Sequence, residues 1–97
     1  MRIIALATLR AFWKRHPDAE IPLRSWYALA SRSDWRRPAD VKDAYRSASV
    51  IANNRIVFNV KGNDYRLVAA LHYNRGFLFI RFIGTHRQYD KVDAETI

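Results

Sequence analysis

The chain has 97 residues, enough for one compact domain and too few for a second core. Hydrophobic residues at 49% and aromatics at 13% exclude wholesale disorder, and the lack of cysteine excludes disulfide staples, thiolate zinc sites and thiol nucleophiles. With 17 Lys and Arg against 9 Asp and Glu, the formal net charge of +8 points to a polyanion, an acidic protein or a membrane surface as partner.

Residues 1–4 read as a short opening strand. From Ala5 the spacing turns helical, with Leu6, Leu9, Phe12 and Trp13 on one side, and Pro17 and Asp18 close the segment. The apolar run at the N-terminus is broken by Arg10, Lys14 and Arg15, no cleavage motif follows it, and no apolar stretch reaches membrane-spanning length. A cytoplasmic protein with no membrane partner is expected. Pro22 suits the first turn of a second helix carrying Leu23, Trp26, Tyr27 and Ala30. A third, shorter helix starts near Pro38 with Val41, Ala44 and Tyr45 on one side. Trp13 and Trp26 read as core; Trp35, in the loop-like SDWRRP, stays open between core packing and a base-stacking platform.

After residue 48 the period changes to two. Strands are expected at Arg55–Val60, Tyr65–Tyr73 and Phe77–Ile83, joined by Gly62-Asn63 and by Asn74-Arg75-Gly76, whose Gly and Asn residues tolerate positive φ. The tail from Thr85 is polar, loop-like or a frayed helical turn. The class is α+β, a single domain over 1–97 with N-terminal helices packed on an antiparallel β-meander.

A tight turn at Gly62-Asn63 pairs Lys61 with Asp64, Val60 with Tyr65 and Asn59 with Arg66, and paired residues share a face. One face then gathers Ile56, Phe58, Val60, Tyr65, Leu67, Ala69 and Leu71 as the core side. The other gathers Arg55, Val57, Asn59, Lys61, Arg66, Val68 and Ala70. The third strand returns with Gly84 or Thr85 beside Arg66, so that His86 emerges next to Arg66 and Asn59. Arg81 takes a face that one residue of register decides. His72 lies far along the strand from Arg66, and His16 reads as a helix-terminus contact.

The stretches NRIVFNVKGNDYRLV and FIRFIGTHRQYDKVDAE, with Trp26, Trp35 and the PADVK segment upstream, closely resemble the HigB family of bacterial type II toxins within the RelE-like superfamily. The resemblance covers nearly the whole chain. It implies a small α+β fold that cleaves messenger RNA on translating ribosomes, a HigA-type antitoxin that neutralises it, and contact with operator DNA only through that antitoxin. Relatives place an arginine where Arg66 stands and a basic residue or histidine where His86 stands. They often carry a lysine where this chain has Asn59, a departure that leaves the general base open among Lys61, Tyr89 and Asp90.

RNA carries its own nucleophile, the 2′-OH, so alignment and charge stabilisation can drive cleavage. No cysteine, no HExxH and no tight carboxylate–histidine cluster suggests a metal site, and no cofactor is expected. Metal-free transesterification then assigns Arg66 to the scissile phosphate and His86 to proton transfer, since histidine ordinarily titrates nearest neutrality. Lys61 adds positive potential, Tyr89 stacks on a base or donates a proton, and Asp90 orients His86 or acts as base. Asn59, Arg55, Asn63, Arg81 and Arg87 complete the candidate RNA-binding set. The competing reading is a non-catalytic RNA- or DNA-binding module, and behind it a subunit that only docks an acidic protein.

Overall fold

The computed structural model describes residues 1–97. Strand β1 (Arg2–Ile4) leads into helix α1 (Leu6–Arg15), a 3₁₀ turn (Pro17–Ala19), α2 (Glu20–Arg32) and α3 (Pro38–Ala44). Strands β2 (Ser49–Ile51), β3 (Arg55–Val60), β4 (Tyr65–His72) and β5 (Phe77–Thr85) follow, and a single turn, α4 (His86–Tyr89), ends the regular structure. The α+β class and the helix-then-meander order hold. The sheet is larger than a three-stranded meander, however. It has five strands in the order β1-β5-β4-β3-β2, and β1 runs parallel to β5.

Prolines set two of the helix boundaries. Pro17 carries no amide proton and cannot continue α1, so the chain passes into the 3₁₀ turn; Pro38 opens α3 at a position where the missing proton costs nothing. The α1 stripe buries Leu9 and Phe12, and the α2 stripe buries Leu23, Trp26 and Ala30. They meet the β3–β4 face formed by Ile56, Phe58, Val60, Tyr65, Leu67, Ala69 and Leu71, all within one core cluster. Phe58 is its hub: the rings of Trp26 and Tyr45 lie 5.3 Å away edge-on, and Trp35 lies 6.2 Å away, stacked. Trp35 is 4% exposed, which makes it a core residue and not a base-stacking platform.

The β3–β4 register matches the expected pairing, Val60 with Tyr65 and Asn59 with Arg66. Gly84 stands beside Arg66. The ladder stops at Val60, where Lys61 and Gly62 both adopt left-handed backbone at φ 52° and 64°. Between Val68 and Ala69 the β4–β5 register slips, with Val68 facing Phe82 and Ala69 facing Ile80. Arg81 is the extra residue of that bulge.

The outer sheet face is not fully solvated. The tail folds back so that Ala94 is buried with Val57 and Val68, flanked by Ile51, Phe82, Tyr89 and Ile97. Arg55 and Arg81 both donate to the Ile97 carbonyl oxygen, and Asn53 Nδ2 donates to that of Glu95, tying the tail over the sheet. No helix is long and apolar enough to cross a membrane.

Candidate active site

Three elements converge at one end of the outer face: the start of β4, the end of β5 and α4. Arg66, half-exposed, leaves β4 one residue after the loop, and its guanidinium donates to the carbonyl oxygens of Asn63 at 3.1 Å and Tyr65 at 3.3 Å. Those bonds engage one terminal nitrogen, and no carboxylate pairs with the group. Across the ladder, Gly84 gives it no side-chain neighbour. The reason is crowding: a Cβ on Gly84 would lie 2.5 Å from Phe82 Cζ and 2.8 Å from Gln88 Oε1.

The turn carrying His86 is held by a capping box. Thr85 Oγ1 accepts from the Gln88 amide at 3.1 Å, and Gln88 Oε1 accepts from the Thr85 amide at 2.9 Å. The His86 amide donates to Asp64 at 3.2 Å, fixing the start of α4 against the β3–β4 loop. One turn on, Asp90 Oδ2 lies 3.2 Å from His86 Nδ1, and Asp90 Oδ1 makes no bond. Both side chains are more than half exposed, at 53% and 60%. Tyr89, between them in the turn, packs its half-buried ring against the tail cluster, 6.5 Å from Phe82. Arg87 is exposed and without a partner.

Lys61 departs from the expected arrangement. Pleat parity ends with the ladder at Val60, and the left-handed backbone turns Lys61 towards the helix side of the sheet. There its ammonium lies 2.7 Å from Asp18 Oδ2 and 3.4 Å from Asp64 Oδ2. The Tyr65 hydroxyl donates to the other Asp18 oxygen. The Lys61 ammonium and then the Tyr65 hydroxyl hold the Asp18 carboxyl below the ordinary carboxylate range. Asp18 in turn pushes up both Lys61 and the Tyr65 phenol. A lysine bound in this way keeps its proton, which suits an anchor and not a base.

The remaining candidate positions separate into near and far groups. Asn59 stands beside Arg66 but its Nδ2 donates to Ser47 at 3.2 Å, and Asn63 supplies a carbonyl to the Arg66 guanidinium. Arg55 and Arg81 lie at the other end of the sheet, where they hold the tail; Arg55 also donates to Asn53 at 2.9 Å, and the Arg81 guanidinium stacks 5.1 Å from the Phe79 ring. His72 stacks on Phe77 and His16 on Phe12, each with ring centroids 4.4 Å apart. Asp18 and Gln88 were missed. The T-x-x-Q spacing of Thr85 and Gln88 is a readable capping signal. Asp18 has none, because it acts on residues 43 and 47 positions away.

The chain is similar over most of its length to known proteins. It is 26% identical over 94 residues to the mRNA interferase HigB of Escherichia coli O6:H1, a match covering 95% of this chain and 91% of that one. It is 25% identical over 92 residues to the mRNA interferase toxin HigB of E. coli K12 and to the mRNA interferase HigB of Shigella flexneri, covering 93% of this chain and 88% of each of those. A family model described as HigB toxin, RelE-like toxic component of a toxin-antitoxin system, matches residues 19–92, a span that takes in α2, the meander and the Arg66–His86 corner. The chain therefore belongs to the HigB toxin family.

Proposed function

We propose that this chain is an endoribonuclease that cleaves mRNA on the translating ribosome by attack of the ribose 2′-OH on the adjacent phosphorus, and that a HigA-type antitoxin silences it. The observation that carries the reading is the corner where an unpaired arginine near the start of β4 stands beside the end of β5, from which a histidine–aspartate pair follows directly, in a chain of the HigB family. Arg66 and Gly84 are cross-strand neighbours with Cα atoms about 5 Å apart. His86 follows Gly84 by two residues, about 7 Å along the chain. Both side chains are long enough to reach one phosphodiester.

Arg66 offers its free terminal nitrogen to the non-bridging oxygens, where charge grows in the transition state. Asp90 Oδ2 holds His86 through Nδ1, which turns Nε2 outward as donor to the departing 5′-oxygen. Asp90 Oδ1, free of bonds, accepts the 2′-OH proton. The proton from the nucleophile thus ends on Asp90, that of the imidazolium on the 5′-oxygen, and the products are a 2′,3′-cyclic phosphate and a 5′-OH end. The Tyr89 hydroxyl, which makes no hydrogen bond, donates to the substrate backbone. Arg87 and Asn59 take neighbouring phosphate or sugar oxygens. Lys61 acts at a distance, holding the loop on which Arg66 depends.

Expression of the chain alone, followed by transcript-end mapping, tests the reading. New discrete 5′ ends are expected with the wild type and not with Arg66→Ala or His86→Ala, each of which should cut the rate by about 10²–10⁴-fold while remaining folded. Absence of new ends with the wild type, or undiminished cleavage by both folded variants, overturns it. Binding to RNA without new ends would identify a non-catalytic module.

A further inference from the structure

A second basic feature lies around the corner from Arg66. Strand β1 pairs with β5 only at Phe77–Phe79, so the outer edge of β5 from Ile80 onward has no strand beside it. A cleft of about 450 Å³ opens along that edge, between the end of α1 and the residues of and after α4. Its floor is apolar, from Phe12, Phe82, Ile83 and Val92, and its rim carries Arg15, His16 and Lys91 with no acidic residue. Neither Arg15 nor Lys91 makes a side-chain hydrogen bond or ion pair. Arg15 complements the C-terminal end of the α1 dipole, but that role leaves its five donors free.

The cleft and the candidate active site share a wall. Phe82 and Gln88 both line it, and the same two side chains fill the space over Gly84, beside Arg66. A strand of RNA crossing Arg66 and His86 would reach this opening over those two side chains. Its volume falls in the range of small-ligand pockets, about 300–1,000 Å³. Its apolar floor suits the flat face of an unpaired base, the unpartnered edge of β5 offers main-chain donors and acceptors, and the cationic rim suits phosphate.

We propose that this cleft seats the single-stranded nucleotide next to the scissile phosphate, with the base against Phe82 and Ile83 and the flanking phosphates on Arg15 and Lys91. The assignment rests on the endoribonuclease reading for its biological meaning. Its test is a binding measurement, which does not depend on cleavage.

The probe is a single-stranded RNA of about ten nucleotides, within the range of strands that such grooves cover. It is made uncleavable by 2′-O-methyl substitution at every position and read by fluorescence anisotropy over a salt series. The proteins are full-length wild type, Arg15→Ala/Lys91→Ala, and Arg32→Ala/Arg46→Ala, a control that removes the same charge from exposed residues outside the cleft. Loss of two phosphate contacts should lower the salt slope by about 1.4 and weaken binding about tenfold at moderate salt, while the control stays close to wild type. A cleft variant that matches the control in slope and affinity overturns the proposal, as does a wild type that fails to bind. Transcript-end mapping judges cleavage separately, so failure of the cleft and failure of the nuclease assignment give different results.

Discussion

The most searching perturbation is the smallest, a single methyl group at Gly84. Its Cβ would lie 2.5 Å from Phe82 Cζ and 2.8 Å from Gln88 Oε1, where ordinary contact begins near 3.4 Å. The ring must move by roughly 1 Å, and it is held among Val57, Val68 and Ala94; an off-rotamer ring costs about 0.5–1.5 kcal/mol. Gln88 Oε1 must leave the Thr85 amide, and loss of a helix cap costs about 0.5–2 kcal/mol. Against this, Gly→Ala stiffens the unfolded chain by about 0.4–1 kcal/mol. Gly84→Ala should therefore be net destabilising by about 1–2 kcal/mol, a fall in Tm of about 5–15 °C for a domain of this size. Because Gln88 also sets the start of α4, His86 shifts with it, and cleavage should fall at temperatures where the variant is still fully folded. Thermal unfolding by circular dichroism and transcript-end mapping at a permissive temperature read the two effects. A variant that melts at or above the wild-type temperature with undiminished cleavage would refute the reasoning on both packing and site geometry.

Other substitutions separate charge from geometry and site from scaffold. Arg66→Lys keeps the charge but loses the planar fork, so cleavage should fall well below wild type, and full activity would show that a point charge suffices. Asp18→Asn should remove the anchor on Lys61 and Tyr65, with an effect that depends on pH. The depressed Asp18 pKa contributes stability above the ordinary value of 3.8 that is lost as pH falls through the folded value. The raised Lys61 and Tyr65 values contribute stability below 10.5 and 10.0 that is lost as pH rises through the folded ones. The Tm gap between wild type and Asp18→Asn should thus be widest near neutrality and close towards acid. A constant offset over about pH 3 to 9 would contradict it. Phe58→Ala, which empties the hub among Trp26, Trp35 and Tyr45, should cost about 3–5 kcal/mol by denaturant titration. A loss under about 1 kcal/mol would mean that the surrounding rings collapse into the space.

What was legible in the chain follows from which forces act locally. The pairing of Asn59 with Arg66 was readable, and the neighbour of Arg66 on the third strand was readable to within one residue, Gly84 or Thr85, because alternation fixes the face and short loops nearly fix the register. The helices were readable from their apolar spacing and their prolines. Parity failed where the ladder itself failed. At Lys61 two left-handed residues end the pleat, and at Arg81 a bulge resets it, neither of which alternation encodes. The parallel pairing of β1 with β5 was hidden because it joins residues at opposite ends of the chain. The covering of Val57 and Val68 by Ala94 and Ile97 was hidden for a related reason: the tail has little apolar content, and its docking depends on Arg55 and Arg81 reaching a main-chain oxygen. The Arg66–His86 corner was within reach because one hairpin builds it; the Asp18 anchor was not, because a distant turn supplies it.

The placement of β5 bears on how such a chain is born. Its neighbours in the sheet are β4, made just before it, and β1, made long before either. Until residue 77 and those after it are synthesised, β1 has nowhere to dock and the sheet stays open along its middle. A polypeptide that stops before residue 77 would carry the helices and Arg66 yet lack both the closing strand and His86, so the two halves of the proposed site come together only once β5 and the turn after it are made.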